Sequence, residues 1–142
     1  MKIIVINGPN INFLGIREPE IYGHQTYQDL EYFLQKCARK YSCEIECFQS
    51  NHEGALVDKI QSTYQNADAI IINPAAYTHT SIAILDALKA VALPAVEVHL
   101  SNVNTRETFR QISYAGMACI KTYIGMGFQS YEKAIAFLMT EM

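Results

Sequence analysis

The chain has no tryptophan and only 18% charged residues, and its formal charge is −3 with a pI near 5.8. That balance offers no basic patch of the kind nucleic acid needs. No apolar run reaches the length that spans a bilayer. The four cysteines, Cys37, Cys43, Cys47 and Cys119, form no C-x-x-C pair, and no histidine lies at zinc-finger spacing from them. They read as free thiols that pack like small hydrophobes, and no metal site is expected. The glycine-rich loop that cradles phosphate after a first strand is also missing. That absence, with the lack of tryptophan to flank an isoalloxazine ring, argues against a flavin-binding reading. Met1-Lys2-Ile3 enters a strand at once, so no signal peptide and a cytoplasmic location are expected.

What is there is a 142-residue chain, half of it apolar. This suffices for one domain, residues 1–142, with its own core. Strand-like and helix-like segments alternate. Lys2–Asn7, Glu44–Gln49, Ala69–Asn73, Ala95–His99 and Ile120–Ile124 read as strands. Ala69–Asn73, A-I-I-I-N, is a continuous apolar run typical of the middle of a parallel sheet. Thr26–Lys40 reads as a helix with Tyr27, Leu30, Phe33, Leu34 and Cys37 at helical spacing, and Thr26 and Asp29 as its capping box. Glu53–Gln65, Ser81–Val91, Asn104–Gln111 and Ser130–Met139 read as further helices. The fold expected is α/β: a flavodoxin-like, doubly wound, five-stranded parallel sheet with strand order 2-1-3-4-5.

In such sheets a ligand sits outside the carboxyl ends of the strands. The polar residues gather there. Asn7, Gly8, Asn10 and a long loop with Arg17 and Tyr22 follow the first strand. Ser50, Asn51 and His52 follow the second. Asn73, Pro74, Tyr77, Thr78 and His79 follow the third. His99, Ser101, Asn102, Arg106 and Arg110 follow the fourth. Three of the four histidines fall at this edge. After the fifth strand, Gly125-Met126-Gly127 reads as a tight turn.

Each candidate has a functional and a structural reading. Glu97 and His99, two apart on a strand, share a face. A carboxylate there fixes an imidazole's tautomer and favours its protonated form, which suits a general acid; a structural hydrogen bond is the alternative. Ser50-Asn51-His52-Glu53 fits a capping box, with Ser50 on the third helical N–H, and His52 beside the site. His79 reads either as a site residue or as a second cap. Arg106 and Arg110, four apart, fall on one helix face and suit an anionic, hydroxylated ligand; a solvated face with Glu107 is the alternative. Arg17 and Tyr22 form the sharpest pair. A tyrosine ionises near pH 10, so acting as a base at neutral pH needs about 4 kcal/mol of preferential phenolate stabilisation. A guanidinium on a closing loop supplies such a field while excluding water.

Five ordered stretches then carry a resemblance. They are I-N-G-P-N-I-N-F-L-G-I-R-E-P-E-I-Y-G, F-Q-S-N-H-E-G, I-I-N-P-A-A-Y-T-H-T-S, V-E-V-H-L-S-N and the R-E-x-F-R after it. Together, over nearly the whole chain, they closely resemble the type II 3-dehydroquinate dehydratases of the shikimate pathway. The resemblance implies an anti elimination of water from 3-dehydroquinate, through an enolate, without metal or cofactor. It implies Tyr22 as base, Arg17 as the residue that keeps it ionised, and Asn10 with an ordered water on the enolate. It implies His99, oriented by Glu97, as general acid. Asn73, His79, Arg110 and the Leu100–Ser101 backbone match substrate-binding positions, with Arg106 beside them. Asp86 matches a position that reaches a neighbouring subunit's site, in a dodecamer of trimers. The chain departs from the family pattern at Ala75, where glycine is common, at Leu85, where arginine is common, and at Asn104, where histidine or an aromatic is frequent.

Overall fold

The computed structural model describes residues 1–16, 20 and 24–142. Five strands, β1 (Lys2–Asn7), β2 (Glu44–Gln49), β3 (Ala69–Asn73), β4 (Ala95–His99) and β5 (Lys121–Ile124), pair in parallel in the order β2-β1-β3-β4-β5. The helices α1 (Tyr27–Tyr41), α2 (Glu53–Ser62), α3 (Ile82–Val91) and α4 (Gln129–Glu141) cover both faces. Ile3, Val5, Ile71 and Val98 pack with Leu34 of α1 and Tyr131 and Ile135 of α4. Ile4, Ile6, Ile70 and Ile72 pack with Leu56 and Ile60 of α2 and Ile84 and Leu88 of α3. Alternate residues of one strand thus feed opposite layers, which is why β1 and β3 are apolar at nearly every position. Each fully buried Ile or Leu here contributes roughly 1.5–3 kcal/mol. The doubly wound sheet and its strand order are as the sequence reading expects. Among the described residues no helix is long and apolar enough to cross a membrane.

The local signals succeed where side chains meet neighbouring backbone. Thr26 Oγ1 accepts from Asp29 N–H at 3.1 Å, and Asp29 Oδ2 accepts from Thr26 N–H at 2.9 Å, the reciprocal cap expected for α1. Gly125 and Gly127 turn the chain after β5 with φ of 80° and 57°. Gly8 is needed for close approach: a Cβ there would lie 2.4 Å from the Pro74 carbonyl oxygen. All four cysteines are free. Burial, then the nearby Glu132 charge, pushes the Cys37 thiol up to about 11.

Other expectations need correction. Ser50 does not cap α2; its Oγ accepts from His52 N–H at 3.0 Å, and His52 stands at the N-cap without a side-chain bond. α2 ends at Ser62, because Thr63 Oγ1 bonds back to Ile60 O and Gln65 turns left-handed at φ 62°. The helix expected over Asn104–Gln111 is two 3-10 turns, Val103–Thr105 and Thr108–Arg110. The Asn102 side chain seeds the first by accepting from Asn104 N–H, and Arg106 between them is extended. Arg106 and Arg110 therefore do not share a helix face.

Candidate active site

A cavity of about 150 Å³ opens at the carboxyl ends of β1, β3 and β4. Asn10, Asn73, His79, His99, Leu100, Ser101, Arg106 and Arg110 line it, together with Pro9, Ile11, Ala75, Ala76 and Val103. Eight of the positions named from sequence are thus brought together, although Arg110 arrives on the second 3-10 turn and Arg106 on the extended link between the two. Asp86 does not line the cavity; it is exposed on α3. His52 is likewise exposed and lies apart from it. Arg17 and Tyr22 lie outside the described residues.

The floor is a buried polar relay. Asn7 and Asn73 are register partners at the ends of β1 and β3. The hydroxyl of fully buried Tyr131, on α4, donates to Asn7 Oδ1 at 2.6 Å and accepts from Asn73 Nδ2 at 3.0 Å. Burial pushes the Tyr131 phenol up, so it stays a neutral donor. Asn73 Oδ1 accepts from Ala75 N–H at 3.1 Å. With one Nδ2 proton and Oδ1 engaged, the amide of Asn73 is fixed in orientation. Ala75 follows with φ 54°, the left-handed region in which glycine carries no Cβ penalty. Asn10 is also left-handed, at φ 69°, which asparagine tolerates better than most residues. Its N–H donates to Asn51 Oδ1 at 3.0 Å.

The opposite wall carries Glu97 and His99, only 2% and 5% exposed. His99 Nε2 lies 2.7 Å from Glu97 Oε2. Burial by itself pushes the Glu97 carboxyl up. The bond and charge of His99, with the Ser113 and Thr122 hydroxyls, outweigh it and hold the group below the ordinary carboxylate range. Glu97 is thus an anion, Nε2 is the protonated nitrogen, and Nδ1 of His99 is left for the cavity. Nearby, burial and then the Glu97 charge push the Cys119 thiol up to about 12, so it stays neutral.

His79 pairs through Nδ1 with the Ile112 carbonyl at 2.8 Å, a geometry in which Nδ1–H donates. It caps no helix: Ser81 Oγ accepts from Ile84 N–H and does that for α3. Arg110 Nε is 2.6 Å from Glu107 Oε2, an ion pair without hydrogen-bond alignment. A bond from its own backbone N–H, then the Arg110 and Arg106 charges, hold the Glu107 carboxyl low. The cavity thus joins a fixed amide floor, a carboxylate-backed imidazole and two guanidiniums, a set suited to proton transfer on an anionic, hydroxylated molecule.

The sequence matches the family described as Dehydroquinase class II over residues 1–139. The chain belongs to the class II dehydroquinase family. It is 53% identical over 138 residues to the 3-dehydroquinate dehydratase of Clostridium acetobutylicum, covering 97% of this chain and 96% of that one. It is 58% identical over 131 residues to the Geotalea daltonii 3-dehydroquinate dehydratase, covering 92% and 91%. Its fold superposes on the crystal structure of the type II dehydroquinase from Butyrivibrio crossotus with a TM-score of 0.95 at 52% identity, covering 97% of each chain.

Sequence reasoning missed Ser113, Thr122 and Tyr131. Ser113 lies in an aperiodic stretch, and Tyr131 reads as one more apolar position of a closing helix. Only the hydroxyl contacts distinguish them.

Proposed function

We propose that this chain acts as one catalytic unit that dehydrates 3-dehydroquinate to 3-dehydroshikimate, the activity carried in its relatives' names. One observation supports this most directly: His99, backed by buried Glu97, shares a cavity with Asn10, Asn73, His79 and both arginines. Tyr22 phenolate takes the proton next to the ketone. Arg17 keeps that phenolate ionised, and Asn10 with an ordered water stabilises the enolate. The C–O bond then breaks. His99, as an imidazolium held by Glu97, gives a proton from Nδ1 to the departing hydroxyl, which leaves as water. Asn73, His79, Arg106, Arg110 and the Leu100–Ser101 backbone hold the substrate's hydroxyls and carboxylate. No metal or cofactor enters these steps, and EDTA should leave the rate unchanged.

We further propose trimers packed into a dodecamer, with Asp86 reaching a neighbouring cavity; light scattering reads that mass. The activity is tested by adding 3-dehydroquinate to the purified protein and following enone absorbance. Rising absorbance supports the reading, and no turnover across pH 6–9 overturns it. Tyr22→Phe separates the base from the binding groups. Lost turnover with retained binding supports Tyr22 as base, whereas near-normal turnover removes it from that role.

A further inference from the structure

Among the described residues the carboxylate of Glu97 has three side-chain donors, and only one of them is His99. Ser113 Oγ lies 2.5 Å from Oε2, the oxygen that His99 also uses, and Thr122 Oγ1 lies 3.1 Å from Oε1. The Ser113 hydroxyl has one proton to place. Gly116 N–H already donates to this oxygen at 2.9 Å, so the hydroxyl proton is directed at Glu97. The backbone at Gly116 closes the remaining side. A Cβ there would stand 2.6 Å from Glu97 Oε1 and 2.9 Å from Ser113 Oγ. The carboxylate is therefore locked by donors on both oxygens and by backbone against one of them.

Ser113 also ends the segment that carries Arg106 and Arg110. On either side of it, Ile112 O accepts from His79 Nδ1, and Tyr114 N–H donates to Thr78 O at 2.8 Å. Phe109 and Ile112 of this segment are exposed, so apolar burial does little to anchor it. Among the described residues, Ser113 hydrogen-bonds the arginine-bearing segment to Glu97 of the Glu97–His99 pair.

We infer that Ser113 is a positioning residue: it fixes the Glu97 carboxylate, and through it the tautomer and aim of His99, while seating the segment that presents the two arginines. It does not line the cavity. Among the described residues, the titratable groups facing Glu97 are His99 on its own strand and Cys119 on the segment before β5. The thiol is neutral, so the hydroxyls are what hold the carboxylate besides His99. The kinetic part of this inference rests on the proposed dehydration; the spectroscopic part does not.

Ser113→Ala removes the donor at constant fold. Gly116→Ala pushes the carboxylate with Ser113 intact, and since φ at Gly116 is not positive, alanine adds no backbone strain. Each variant is compared with the wild type in kcat, KM, melting temperature and the 15N spectrum of the His99 imidazole. The expected result is a fall in kcat of about tenfold or more. KM should stay within about twofold, and the His99 15N signals should move from those of an Nε2–H held on Glu97 toward an exchange-averaged pattern. Wild-type 15N shifts in Ser113→Ala overturn the inference. So does a kcat that falls only as the folded fraction falls. If the wild type itself does not turn over 3-dehydroquinate, the proposed reaction fails, and the 15N comparison still decides whether Ser113 holds Glu97 and His99.

Discussion

On the β4 side of the cavity, Glu97 and His99 are buried and bonded to each other, and the carboxylate is also held by Ser113 and Thr122. On the side built by residues 103–110, Arg110 rides on a three-residue turn and Arg106 on the extended link before it, with Glu107 and Phe109 facing solvent. The buried pair is preorganised: its carboxylate charge is neutralised by fixed dipoles before any ligand arrives. The arginine side is held through a few polar ties, and its Arg110–Glu107 pair is the sort of exposed ion pair that contributes little to stability. The acid is thus placed with the precision of a core, and the anion-binding groups with the latitude of a surface.

Removing the charge from the buried side should have the largest effect. Glu97→Gln leaves an amide facing the hydroxyls of Ser113 and Thr122, and kcat should fall about a hundredfold. The same variant should change acid stability. The folded carboxyl titrates below its ordinary 4.5, so its stabilisation is complete above that value and is lost as pH falls through the lower folded one. Urea melts below pH 4.5 should therefore show a shallower loss in Glu97→Gln than in the wild type. An unchanged kcat would mean that burial of the pair serves the fold alone.

Arg110→Ala strikes the other side. KM should rise about tenfold with a smaller change in kcat, and Arg110→Lys should fall between, since an ammonium lacks the fork that pairs with a carboxylate. A loss confined to kcat would erase the contrast between the two sides. Tyr131→Phe tests the floor. It strands Asn7 Oδ1 and one Asn73 Nδ2 proton in the core, and chemical denaturation should report a loss of about 1–3 kcal/mol. Ala75→Gly should give the smallest change. Relief of a left-handed alanine, less the entropy glycine loses, should raise stability by up to about 1 kcal/mol with turnover retained.

The legibility of the molecule follows the range of the interactions. The strands of β1 and β3, the cap at Thr26 and the turn at Gly125 are encoded within a few residues, and each is found where the sequence places it. The Glu97–His99 pair is also local, because two residues apart on a strand must share a face. The segment 103–111 misleads. Its i, i+4 arginines suggest a helix, but it has no apolar stripe to bury, and the Asn102 side chain starts a 3-10 turn instead. Ser50 misleads for a similar reason, since its hydroxyl finds the nearer N–H of His52.

The sequence alone determined the sheet, its order and the polar edge, because alternation and apolar runs act residue by residue on a single chain. It also named the imidazole, the amides and the arginines that line the cavity. Tertiary structure alone decided what holds them. Ser113 reaches Glu97 across 16 residues and Tyr131 reaches Asn7 across 124. No period or spacing encodes such bonds. They exist because a buried polar atom must find a partner, and only the folded packing determines which one is near.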